Sequence, residues 1–139
     1  MSRIEPDLLV DTSVAVALVV SDHEFHASVA AALHGKILGL AGHAAFETYS
    51  VLTRLPAPLR RTPAVIAELL AGSFVANRFL GAAASARLSR ELASLGIAGG
   101  SVYDALVAAV AREHDVVLAT RDVRAIDTYR ALGITVLRL

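Results

Sequence analysis

The chain contains no cysteine. A disulfide framework, a thiolate zinc site and a cysteine nucleophile are all excluded. Net charge is also missing, with 13 basic and 13 acidic residues in 139, which argues against a surface that is basic all over. A local basic rim is compatible with neutrality. Lysine is nearly absent: Lys36 is the single lysine among the 13 basic residues, and arginine is the better bidentate ligand for phosphate. Although 55% of the residues are apolar, no uninterrupted apolar run approaches the roughly 18 residues needed to span a bilayer. The apolar stretch near the start is broken by Asp11 and preceded by Glu5 and Asp7, the wrong charge for a secretory signal. The expected compartment is the cytoplasm, with no membrane role.

What is present is a regular alternation of strand-like and helix-like segments. Leu8-Leu9-Val10 reads as a first strand, followed by a short helix over 13–19. Helical patterns recur over 22–34, 43–55, 63–77, 82–95, 102–114 and 122–132. Thr62-Pro63 is an N-cap followed by proline at the first helical position, and Pro56, Gly96 and Gly133 stop the helices before them. Short strands are expected at 37–40, 78–80, 116–119 and 134–137. The run Val116 to Ala119 is continuously aliphatic, as in a strand covered on both faces. No repeat or long linker interrupts this order, so one domain over 1–139 is expected. Strand and helix in alternation imply an α/β fold with a mainly parallel sheet. Ligands in such folds sit beyond the carboxyl ends of the strands.

Four carboxylates stand where such a domain has reason to avoid them: Asp11, Glu47, Asp104 and Asp122. Asp11 and Asp122 follow the apolar runs Leu8-Leu9-Val10 and Val116-Val117-Leu118-Ala119. Asp104 neighbours Gly100, Val107 and Ala108 on its helix face, and Glu47 neighbours Ala44, Ser50 and Val51. If the fold gathers these acids, each like-charged pair at ~4 Å costs roughly 4 kcal/mol at an effective dielectric of about 20. Such a cluster persists by taking up protons or by binding a hard cation. The pattern reads as a divalent-metal site, with Ser13 and Thr120 placed to hydrogen-bond the ligands.

Each acid also has a plainer reading. Asp11 and Asp122 can cap the helices that follow, Asp104 can be a neutralised or paired core aspartate, and Glu47 a half-exposed helix residue. Asp127, near Arg124 and Arg130, reads as solvated, and His23 with His26 as an exposed pair on one helix. Arg54, Arg60, Arg61 and Arg121 are the candidates for contacting phosphate. Phe74, Phe79 and Leu80 read as core or as a partner surface.

The motifs Leu-Leu-Val-Asp11-Thr12-Ser13, Ala-Phe-Glu47-Thr-Tyr, Tyr103-Asp104-Ala105-Leu106 and Leu118-Ala119-Thr120-Arg121-Asp122 together resemble the PIN-domain family. The subgroup they are most similar to is the VapC toxins of type II toxin–antitoxin pairs. Each motif is short; four in this order across the whole chain are fairly specific. The resemblance implies a three-layer α/β/α sandwich with strand order 3-2-1-4-5. It also implies that Asp11, Glu47, Asp104 and Asp122 hold Mg²⁺ or Mn²⁺ and carry the catalysis, with Ser13 and Thr120 in support.

The expected activity is hydrolysis of RNA by water, leaving a 5′-phosphate and a 3′-hydroxyl. Transfer RNA or ribosomal RNA is the implied substrate, with a cognate antitoxin and a homodimer as protein partners. The alternative is a PIN-like RNA-processing nuclease, or a non-catalytic binding module, outside any toxin–antitoxin pair. A phosphorelay receiver needs adjacent acids after the first strand and a late lysine, and a haloacid-dehalogenase-type phosphatase needs Asp-x-Asp where Ser13 stands. Replacing Asp11 or Asp104 by asparagine is expected to leave the metal-free fold at least as stable, since crowded negative charge is removed.

Overall fold

The computed structural model describes residues 3–139, so the first two positions of the expected 1–139 domain lie outside the described residues. The elements run β1 (Leu8–Val10), α1 (Thr12–Val19), α2 (His26–Leu33), β2 (Leu38–Leu40), α3 (His43–Thr53), α4 (Pro63–Ser73), α5 (Ala82–Glu91), α6 (Ser101–His114), β3 (Leu118–Thr120), α7 (Ile126–Ala131) and β4 (Val136–Arg138). A 3₁₀ turn at Val123–Ala125 precedes α7. Among the described residues the four strands form one parallel sheet in the order β2-β1-β3-β4.

Period-two alternation divides the strand residues between two cores. Leu8, Val10, Leu38, Leu40 and Ala119 pack with α1, α2 and α4 on one face. Leu9 and Leu118 pack on the other against α5, α6 and α7. Helices on both faces explain why the strands are apolar without interruption, and the result is the expected three-layer α/β/α sandwich.

One strand of the expected five, placed at 78–80, is displaced to 76–78 and reduced to a bridge. Residues 76–78 do run beside β2, with the Ala76 and Arg78 amides donating to the Leu38 and Leu40 carbonyls at 3.2 Å. Pairing is nevertheless limited to the isolated bridge Ala41–Arg78, because the Asn77 side chain takes the Leu40 amide at 2.7 Å. The approach is so close that a Cβ on Gly39 would collide with the Ala76 carbonyl; glycine is required there. With that segment counted third, the expected order 3-2-1-4-5 reduces to the observed four strands. The same pairing pulls 74–77 out of helix, so α4 ends at Ser73 rather than Asn77.

Three helices are also shorter than expected: α5 ends at Glu91 rather than Leu95, α7 starts at Ile126 rather than Asp122, and α2 starts at His26 rather than Asp22. His23 therefore sits in the preceding turn, its ring nitrogen accepting from the Phe25 amide, while His26 contacts the Ala17 carbonyl. The two histidines do not share a helix face.

Phe74 is core at 2% exposure, whereas Phe79 is 51% exposed. Leu80 packs at the edge of the second core. Among the described residues, no helix is long and apolar enough to cross a membrane.

Candidate functional site

The parallel register brings the ends of β1 and β3 side by side, with Val10 opposite Ala119. Asp11 follows one strand and Asp122 stands two residues beyond the other. Glu47 on α3 and Asp104 in the first turn of α6 reach the same place. All four carboxylates line one cleft of about 610 Å³, together with Ser13, His43, Tyr103, Arg124 and Tyr129. The four acids come from separate parts of the chain, and the fold puts them on one cavity wall.

Asp11 is the anchored member, 4% exposed. Its Oδ1 accepts from the Ser13 hydroxyl at 2.6 Å and from the Val14 amide at 3.2 Å. Its Oδ2 accepts from the Thr120 hydroxyl at 2.5 Å and the Tyr129 hydroxyl at 2.8 Å. Burying a carboxylate is costly unless it is hydrogen-bonded, and here four donors do that. Capping of α1 and membership of the cleft are compatible in this residue. Ser13 and Thr120 each make a second bond, accepting from the Arg121 and Asp122 amides at 2.9 and 3.0 Å. Both supporting residues thereby tie the β1 end to the β3 end.

Asp122 combines the same two roles, accepting from the Arg124 amide at 3.1 Å. Asp104 is mostly covered, its side chain 16% exposed. Burial pushes its carboxyl above the ordinary aspartate range; the Arg124 cation opposes that shift, and Asp122, Glu47 and Asp11 add to it. Glu47 is the outermost acid, 48% exposed, with its carboxylate 3.8 Å from His43 Nε2. Asp127 is exposed and lies outside the cleft lining.

Sequence reasoning missed Arg124 and Tyr129. The Arg124 guanidinium sits 3.0 Å from Asp122 and 3.4 Å from Asp104. It is an internal countercharge whose own pKa those two acids push up. Arg54, Arg60, Arg61 and Arg121 do not line the cleft. Arg60 and Arg61 instead bond the carbonyls of Leu55 and Pro58, and Arg121 lies 3.7 Å over the Phe25 ring. Tyr129 is 2% exposed. Burial and then the Asp11 charge hold its phenol far above the usual tyrosine pKa, so it stays a hydrogen-bond donor.

The donor set is chemically suited to a hard divalent cation: carboxylate oxygens, with hydroxyls behind them. Arg124 marks where positive charge is already demanded, and its side chain is 69% exposed at the mouth of the cleft. Among the described residues, no group of three His, Asp or Glu is spaced to hold an ion. Carboxylates of Asp104, Asp122 and Glu47 line the cleft beside the fixed Asp11, and Arg124 pairs with Asp104 and Asp122.

Tyr129→Phe removes one of four donors from Asp11 and leaves nothing in its place. The expected cost is about 1–3 kcal/mol in urea unfolding.

The PIN domain family model matches residues 8–131. Ribonuclease VapC27 of Mycobacterium tuberculosis is 51% identical over 132 residues, covering 95% of this chain and 96% of the relative. Ribonuclease VapC40 of the same species is 43% identical over 127 residues, covering 91% and 94%. Among solved structures, the DNA-bound VapBC of Salmonella typhimurium superposes with a TM-score of 0.68 at 18% identity, covering 96% of this chain and 98% of that one. That last likeness is one of fold.

Proposed function

Because the chain belongs to the PIN-domain family, and within it to the VapC toxins, we propose that its acidic cleft is the active site of a Mg²⁺- or Mn²⁺-dependent endoribonuclease. The observation that carries this reading is the meeting of Asp11, Glu47, Asp104 and Asp122 on one cleft, two of them already sharing a cation in Arg124. The relatives' name of ribonuclease supports the substrate class.

Asp11, Asp104, Asp122 and Glu47 would hold the ion, and Ser13, Thr120 and Tyr129 would fix the angle of Asp11. When bound, Mg²⁺ or Mn²⁺ supplies a more acidic water and offsets charge on the reacting phosphate. The protein's own part is positional. The hydroxyl pair tied to the backbone at Arg121 and Asp122 keeps Asp11 from turning. Arg124, once displaced from Asp104 and Asp122, is the cation nearest an incoming phosphodiester and can pair with it. Attack by water leaves a 5′-phosphate and a 3′-hydroxyl, without a covalent enzyme intermediate.

In the cell, the reading is a cytoplasmic toxin that cuts transfer or ribosomal RNA. An antitoxin covers it, and it pairs as a homodimer. The VapBC assembly among the fold neighbours supports the antitoxin partner.

The test is cleavage of total transfer and ribosomal RNA with Mg²⁺ or Mn²⁺, repeated with EDTA. Cutting that stops on chelation and returns with added Mn²⁺ is expected. Cutting that survives chelation refutes the metal mechanism.

A further inference from the structure

The acidic cleft has an aromatic wall that the metal chemistry leaves unused. Gly42 begins α3 hard against α6: its φ is +51°, and a Cβ there would lie 2.7 Å from Val110 Cγ2. That close approach sets His43, the first residue of α3, opposite Tyr103 in the first turn of α6. The two rings are stacked, with centroids 5.0 Å apart and planes 26° from parallel. Both line the cleft, yet Tyr103 is 55% exposed. Its hydroxyl is not among the groups that hold Asp11, and the ring packs in neither core cluster. Tyr103 directly precedes Asp104, about 3.8 Å along the backbone.

We propose that Tyr103, backed by His43, is the platform on which an unpaired RNA base stacks beside the phosphate engaged at the acidic cleft. The proposal rests on the nuclease reading above for its substrate class and deepens it. Scattered exposed aromatic rings are ordinary; this one is braced by a second ring and adjoins the reacting centre. Arg124 and a bound ion would attract any phosphate alike, so they hold the backbone without engaging the bases. Stacking of a base on a ring supplies that contact and tolerates any base. A base on Tyr103 must be splayed out of a helix, which selects single-stranded loops over duplex. A protein partner could cover the same ring, and the experiment separates the two.

Short oligoadenylate, oligouridylate and a base-free ribose-phosphate chain of equal length are titrated against the parent and Tyr103→Ala. Ca²⁺ replaces Mg²⁺ to hold the complex without turnover. The expected result is a loss of about 5- to 150-fold in affinity for the RNA oligonucleotides, with no change for the base-free chain. Tyr103→Phe should bind like the parent, since the π-face remains, while Tyr103→Leu should resemble the alanine variant. In cleavage the loss should fall on KM rather than kcat.

Equal losses on RNA and on the base-free chain, or no loss on either, overturn the proposal. So does a Tyr103→Ala protein that loses only antitoxin binding, or a parent that binds neither RNA. The two readings also fail separately. A parent that shows the Tyr103-dependent preference but never cuts RNA defeats the nuclease alone. Cleavage of RNA with the same KM in the parent and in Tyr103→Ala defeats the platform alone.

Discussion

Replacing Asp11 with asparagine is expected to lower RNA cleavage at least ~100-fold and to weaken the metal-free fold by about 2–4 kcal/mol. The sign of the second effect reverses the sequence-based expectation that replacing Asp11 by asparagine leaves the metal-free fold at least as stable. The reason is local. The new carboxamide could keep the Ser13 hydroxyl and the Val14 amide on its oxygen, where Asp11 now accepts both. Its amide nitrogen would then face the Thr120 and Tyr129 hydroxyls, which now donate to Asp11. Thr120 already accepts from the Asp122 amide, and Tyr129 is buried. Two buried hydroxyl protons would lose their acceptor. Urea denaturation in EDTA measures the loss, and an Asp11→Asn midpoint at or above the parent's would show that the four donors contribute nothing.

Asp104→Asn should behave in the opposite way on stability while sharing the loss of cleavage, again at least ~100-fold. Burial raises this carboxyl above its ordinary value of 3.8, and three neighbouring acids add to the rise. The native state therefore holds the Asp104 proton to higher pH than the unfolded chain does. Stability from this group is full below the ordinary value and is lost as pH climbs through the raised one. The metal-free parent should thus lose stability as pH rises above the ordinary aspartate value and through the raised one. The asparagine variant should lose less and melt higher at neutral pH. Melting curves across that range in EDTA decide the matter; a variant that melts lower at neutral pH means that the Arg124 pair outweighs burial. A cation replaces the proton, so metal binding should also strengthen as pH rises through the same window.

Much of the site could be read from the chain because strand ends and helix faces have simple periods. Leu8-Leu9-Val10 and Val116 to Ala119 were strand-like, and the acids just past them had to lie at the carboxyl edge of a parallel sheet. Asp104 was legible from the small apolar residues around it on α6. What stayed hidden depended on side chains folding back locally. Arg124 reads as a partner of Asp127 if 122–132 is one helix, but a 3₁₀ turn at Val123–Ala125 comes first. That turn swings the guanidinium to Asp122 and Asp104 instead.

Tyr129 lies on the buried face of α7 with Ile126 and reads as core. Its hydroxyl was the available signal, because a buried phenol needs an acceptor and Asp11 ends the nearest strand. The lost third strand turns on one side chain: the Asn77 amide oxygen takes the β2 hydrogen bond that a strand backbone would have made.

In the proposed mechanism the four carboxylates share a divalent cation for which Arg124 is the present substitute. Calorimetric titration of Mn²⁺ into the RNA-free parent, Asp104→Asn and Arg124→Ala tests that sharing independently of turnover. Saturable binding by the parent is predicted, weaker by about 10–100-fold or more in Asp104→Asn and tighter in Arg124→Ala. No saturable heat in the parent, or equal affinity in the parent and Asp104→Asn, would contradict the account.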